Sequence, residues 1–183
     1  HASTQLCLEG VEAHTLPDRS VLDLGCGSGI LSIAALCLGA SHAVAVDIDP
    51  KAVDVAYENA AINGIGRDRY TVRWGNVVTG RALQKEFGGE YDVVVANIVA
   101  DVIIRLAPVV PKLMRPDAAF VCSGILTTRE DDVRAALAAA GLEIVHAAHH
   151  FAVTVDFVRA KLFNSADADF LHVTSHNTGE CAT

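Results

Sequence analysis

Asp23-Leu24-Gly25-Cys26-Gly27-Ser28-Gly29 lies between a short apolar run, Ser20 to Gly25, and a segment in which Ile30, Ile33, Ala34, Cys37 and Leu38 recur at helical spacing. Glycines at a strand-to-helix turn permit positive φ and let a ligand come against bare backbone. The N-terminus of the helix behind them offers free N–H groups. A dinucleotide fingerprint G-x-G-x-x-G would need glycine at position 30, where Ile30 stands. The spacing is instead G-x-G-x-G, with Asp23 two residues before the first glycine.

Outward from this turn, strand-length apolar runs alternate with helical segments, which predicts a doubly wound α/β fold on a mostly parallel sheet. His42 to Ile48 is the second strand. Asp49 then offers an N-cap, Pro50 the first helical position and Gly64 a stop, with Val53, Ala56, Tyr57, Ala60 and Ala61 facing inward. Tyr70 to Trp74 is the third strand and Arg81 to Phe87 a short polar helix. Tyr91 to Ile98 is the most hydrophobic strand and belongs at the centre. The next helix runs through Val102, Ile103 and Leu106 toward Val110 and Leu113, with a break at Pro108. Ala118 to Ile125 is the fifth strand. Thr127 and Glu130 form a capping box for a helix that Gly141 ends. Glu143 to His150 and Val153 to Lys161 make a terminal antiparallel hairpin. One domain over residues 1–163 results, followed by a polar, aperiodic tail at 164–183.

Asp47 ends the second strand 22 residues after Gly25. A carboxylate there can accept hydrogen bonds from both hydroxyls of a ribose, at about 1.5–3 kcal/mol each. NAD and any adenosyl cofactor fit this equally. Ile48 is placed to cover a face of the adenine, and Asn76 either meets the adenine edge or serves as a plain turn residue.

Composition narrows the class. A chain of 183 residues and 19.3 kDa suits one domain, and 51% apolar residues with a mean hydropathy of +0.34 exclude disorder. No apolar run is long enough to span a membrane. The formal charge of −8, without any Lys/Arg run, argues against direct nucleic-acid binding and suits a basic partner. Of five cysteines without a C-x-x-C, the four in apolar stretches (Cys7, Cys26, Cys37 and Cys122) read as reduced, buried thiols of a cytoplasmic protein. His146 and His150 share a strand face without accompanying carboxylates, so no metal is expected. Trp74 is expected to pack at a strand end. With no initiator Met, His1 is expected to open a processed, truncated or domain-only chain.

DLGCGSG, followed by VDIDP after the second strand, resembles the class I S-adenosylmethionine-dependent methyltransferases, which have a Rossmann-like fold. HASTQLCLEG at the start, ANIVAD at Ala96 to Asp101 and SGIL at Ser123 to Leu126 resemble the ribosomal protein L11 methyltransferase family. The likeness covers roughly residues 1 to 145. It implies S-adenosylmethionine as cofactor, with contacts at Thr4, Gly25, Asp47 and Asn97. Gly27 would face the methionine part, and Asp23 would hold the turn or the amino group. It also implies methylation of lysine side chains and the N-terminal amine of a basic ribosomal protein, which a separate N-terminal domain grips. Asn97 would hold the acceptor amine through its carbonyl oxygen, or else cap the helix that follows. Methyltransferases acting on planar amino groups resemble one another in Asn-Pro-Pro-Tyr, whose ring stacks on the acceptor. Ile98-Val99-Ala100 supply no ring, which fits a flexible aliphatic amine. The rival readings are methylation of another protein, an RNA or a small molecule, and a cofactor-binding fragment inactive without its N-terminal domain.

Overall fold

The alternating strands and helices close into one seven-stranded sheet in the computed structural model, which describes residues 2–150 and 153–160. Its strands are β1 (Ser20–Leu24), β2 (His42–Asp47), β3 (Tyr70–Trp74), β4 (Tyr91–Asn97), β5 (Met114–Leu126), β6 (Leu142–His150) and β7 (Val153–Ala160). They lie in the order β3-β2-β1-β4-β5-β7-β6. All neighbouring pairs are parallel except β5–β7 and β6–β7. The strand order reverses between β1 and β4, and a crevice opens at the carboxyl ends of strands at such a point.

Side chains explain the two helical layers. Leu22 and Leu24 of β1 join one apolar cluster and Val21 the other; Val94 and Ala96 of β4 are likewise set against Val93 and Val95. Strands apolar on both faces require cover on both. Helices α1 (Ala2–His14), α2 (Ile30–Cys37) and α3 (Pro50–Ile62) supply residues to one cluster. Helices α5 (Ala100–Leu106) and α6 (Glu130–Ala139), with the end of α4 (Arg81–Phe87), supply the other.

Several expectations are corrected. α1 had no counterpart in the sequence reading, although Ser3, Cys7 and Val11 recur every four residues and are buried. In α2 the expected stripe is mostly rotated outward: of its members only Ile33 is buried and Ala34 half-buried, while Ile30, Cys37 and Leu38 are exposed, and Leu31, Ser32, Ala35 and Leu36 are buried instead. The helix is apolar nearly all round, so its period leaves the rotation open; Ser32, bonded to Asp23, fixes it. Among the described cysteines, Cys37 is therefore exposed while Cys7, Cys26 and Cys122 are buried. In α3 the buried line is Ala52, Ala56 and Ala60, whereas Ala61 is exposed. The cap is as expected, with Asp49 accepting the Lys51 N–H at 2.9 Å.

The break at Pro108 is present, since α5 ends at Leu106 and a short 3-10 turn follows at Val110–Lys112. β5 begins at Met114, earlier than expected. Met114 pairs with Tyr91, residues 115–118 loop out, and pairing resumes at Ala119 with Val93. The capping box does not form. A 3-10 turn at Thr127–Arg129 makes Glu130 the first residue of α6, and its carboxylate accepts from Thr154 Oγ1 at 3.1 Å and pairs with Arg134. Gly141 does end α6, at φ +78°. The expected tail at 164–183 and the last expected strand residue, Lys161, lie outside the described residues. Among the described residues no helix is long and apolar enough to cross a membrane.

Candidate active site

The turn after β1 is built from backbone. Gly25 and Cys26 N–H donate to Val46 O at 2.8 and 3.1 Å, and Gly29 N–H donates to Cys26 O at 2.8 Å. Gly25, Gly27 and Gly29 all have positive φ. Gly29 has no room for a side chain, because an added Cβ would lie 2.6 Å from Tyr70 Oη and 3.1 Å from Ala56 Cβ. Gly27 is the open one, with nothing within 4 Å of an added Cβ. Its N–H donates to Asp47 Oδ2 at 2.8 Å, so the acid at the end of β2 clasps the turn. Asp47 Oδ1 accepts the Asp49 N–H at 2.9 Å. Each carboxylate oxygen keeps a second acceptor site.

Asp23 is 1% exposed and lies beneath the turn. Its Oδ2 accepts from Ser32 N and Oγ at 3.2 and 2.8 Å, and Ser32 Oγ shares a hydrogen bond of 2.9 Å with Tyr70 Oη. Burial pushes this carboxyl up to about 6; the two Ser32 donors oppose the rise and the Asp47 charge adds to it. These bonds tie the end of β1 to the first turn of α2 beneath the glycines. Burial holds the Cys26 thiol well above its ordinary value, helped by the charges of Asp23 and Asp47, so the cysteine in the turn is protonated.

A cleft of about 360 Å³ opens beside this turn at the carboxyl end of the sheet. Gly25, Asp47, Ile48 and Asn76 all line it, so four of the expected residues share one wall. The rest is largely apolar: Leu24, Val46, Val77, Val78, Ile98, Val99, Val102 and Leu106. An apolar slot with an acid at one end suits a nucleoside, whose flat base is apolar on its faces and whose ribose donates hydrogen bonds. Asn76 does serve as a turn residue, Oδ1 accepting the Val78 N–H at 2.9 Å, while it also lines the cleft. Trp74 is 65% exposed, not packed, and its indole N–H donates to Ile48 O at 3.1 Å. That bond holds the Ile48 backbone at the rim.

Asn97 sits at the end of β4, just before Ile98 of the cleft wall. Its Nδ2 donates to Thr4 Oγ1 at 3.2 Å, which brings the two expected residues together and leaves Oδ1 as the amide's free acceptor. Asn97 does not cap α5; Val99 stands at that position, without a side-chain cap. Val77 and Val78 escaped the sequence reading, and Val102 was read only as a helix residue, because apolar residues after strands look the same whether they line a cleft or pack a core.

Residues 1–153 match the model of a protein family described as ribosomal protein L11 methyltransferase (PrmA). The chain belongs to that family. It is 48% identical over 145 residues to the ribosomal protein L11 methyltransferase of Desulfitobacterium hafniense, covering 79% of this chain and 44% of that protein. With the enzyme of the same name from Agathobacter rectalis the identity is 41% over 153 residues, covering 81% of this chain and 47% of the other. The chain thus spans less than half the length of these curated relatives. Among solved structures, ribosomal protein L11 methylase from Lactobacillus delbrueckii subsp. bulgaricus superposes with a TM-score of 0.80 at 30% identity, covering 88% of this chain and 80% of that one. The Rossmann-like fold and family expected from the glycine turn and the ANIVAD and SGIL segments are therefore borne out.

Proposed function

We propose that residues 1–163 form a domain that binds S-adenosylmethionine and transfers its methyl group to lysine side chains and the N-terminal amine of ribosomal protein L11. The observation that carries this is the cleft that Gly25, Asp47, Ile48 and Asn76 line together with apolar side chains, one of which, Ile98, directly follows Asn97 at the end of β4. Asp47 accepts the ribose hydroxyls while keeping Gly27 in place. Ile48, Val77 and Val78 flank the adenine, and the open space over Gly27 takes the methionine part. Asp23 acts beneath, by holding the turn. Thr4 joins the site through Asn97.

The cofactor supplies a methyl group on a positive sulfonium; the chain must present an amine with a free lone pair. A lysine of pKa near 10.4 costs roughly 4.6 kcal/mol to deprotonate at pH 7. A water-poor pocket next to a positive charge lowers that cost by burial and by like-charge repulsion, the proton leaving to solvent before the amine is enclosed. An amide is no base. Asn97 Oδ1 accepts an N–H of the neutral amine, which orients the lone pair. Ile98, Val99 and Ala100 leave an aliphatic passage without an aromatic platform, which favours lysine over a base.

The test is intact-mass spectrometry of ribosomal protein L11 incubated with the chain and S-adenosylmethionine, with Asp47→Ala alongside. Successive methyl steps, lost in the variant, are expected. A second reading is favoured by the chain's spanning under half of its relatives: a cofactor-binding domain whose target docking lies elsewhere. An unmodified target together with tight cofactor binding would select it.

A further inference from the structure

The SGIL segment lies behind the cleft wall, and neither Ser123 nor Gly124 lines the cleft. The pairing of β4 with β5 ends at Asn97 opposite Ser123, and the next residue, Ile98, donates its N–H to Ser123 O at 3.0 Å. At the same point β5 slips register against β7, between Cys122 and Ile125, with Gly124 at φ +86°. The slip presses Gly124 onto the Ile98 backbone. An added Cβ at 124 would lie 2.5 Å from Ile98 O, 2.9 Å from its C and 3.2 Å from its N. These are backbone atoms and cannot swing aside.

On its other side Ile98 meets a second glycine. A Cβ on Gly25 would come within 2.5 Å of Ile98 Cγ2. The residue after Asn97 is therefore clamped between Gly25 of the cofactor turn and Gly124 of β5. Resting on the reading of Asn97 as the amine's holder, we propose that Gly124 is a positioning residue for the acceptor side of the site. Its bare backbone sets the place of Ile98, and through it where Asn97 presents its amide beside the cofactor turn. A side chain at 124 must displace the Ile98 backbone, whose side chain already fills the place a Cβ on Gly25 would take, so the Asn97 end of β4 must give.

Gly141 supplies the matched control, at φ +78° with nothing within 4 Å of an added Cβ. Gly141→Ala carries the strain of positive φ without a clash. In the 183-residue chain labelled for NMR, Gly124→Ala should speed exchange of the Ile98 amide at least tenfold and move the Asn97 side-chain NH2 signals. Gly141→Ala should leave both as in the parent. Unchanged signals in Gly124→Ala, or equal changes in the two variants, overturn the proposal. Should Gly124→Ala fail to fold, Ile98→Ala opens the clamp from within and should move the same Asn97 signals; no movement is equally fatal. Turnover at saturating S-adenosylmethionine, with ribosomal protein L11 as acceptor, gives the second readout. Gly124→Ala should lower kcat at least tenfold alone but less than twofold in an Asn97→Ala background; independent, multiplying losses overturn it. A parent chain without turnover counts against the proposed function, and the NMR result then decides the positioning role by itself.

Discussion

Asp92, at the amino end of β4, should hold the sheet together in a pH-dependent way. Burial by itself would raise its carboxyl. Ser20 overcomes this, with its N–H at 2.9 Å and its hydroxyl at 2.8 Å from Oδ2, and Arg19 at 2.9 Å and Arg115 at 3.3 Å add to the effect. The result is a carboxyl lowered from 3.8 to about 2. At 1.36 kcal/mol per pH unit that depression is worth about 2 kcal/mol. The Arg19 and Arg115 side chains are 45% and 50% exposed, so solvent screens their share and the buried Ser20 donors carry most of it. A folded value below the unfolded one gives stability that is present above about pH 4 and lost as pH falls through about 2. Asp92→Asn keeps one acceptor oxygen and removes the charge. It should cost about 2 kcal/mol in urea unfolding at pH 7, and the gap to the parent should narrow steadily between pH 4 and pH 2.5. Added salt should leave most of the gap. A difference constant from pH 7 to pH 2.5, or below about 0.5 kcal/mol throughout, would refute the assignment.

Asp23→Asn should show the opposite sign. Its folded carboxyl, at about 6, lies above the unfolded 3.8, so the parent carries a penalty that is complete above pH 6 and absent below about 4. Relative to the parent, the variant should gain up to about 3 kcal/mol between pH 4 and pH 7, read from unfolding midpoints; no gain on raising the pH would contradict the burial argument. Gly29→Ala should lose more than about 2 kcal/mol, combining left-handed strain with the clash on Tyr70 and Ala56. A midpoint within about 0.5 kcal/mol of the parent would mean the turn is looser than its geometry.

The succession of strands and helices after α1, and the central place of β4, were legible because central strands read as unbroken apolar runs, and because Asp49-Pro50, Pro108 and Gly141 punctuate what lies between. Asp47, Gly25, Ile48 and Asn76 could be expected together because each stands at the carboxyl end of a strand in a parallel sheet, where they line one cleft. What was hidden depended on partners distant in the chain. The rotation of α2 is set by Ser32 meeting Asp23, and an apolar helix carries no mark of that. Glu130 abandons a local cap for Thr154 of β7, across the fold, and for Arg134 one turn along its own helix. Trp74 looked like packing because an exposed indole at a rim has the same sequence neighbours as a buried one. α1 was overlooked because its buried line runs through serine and cysteine rather than leucine.

Strand β4 carries Asp92 at one end and Asn97 at the other, five residues apart, which for an extended chain is about 16 Å. The acid-sensitive anchor and the amide proposed to hold the acceptor thus occupy opposite poles of a single rigid rod. Mutational drift can retune melting behaviour at one pole while selection on substrate choice proceeds at the other. Homologues living at different temperatures should accordingly differ around Asp92 and its arginines sooner than around Asn97, and thermostabilised versions of this domain are best sought at the end away from the chemistry.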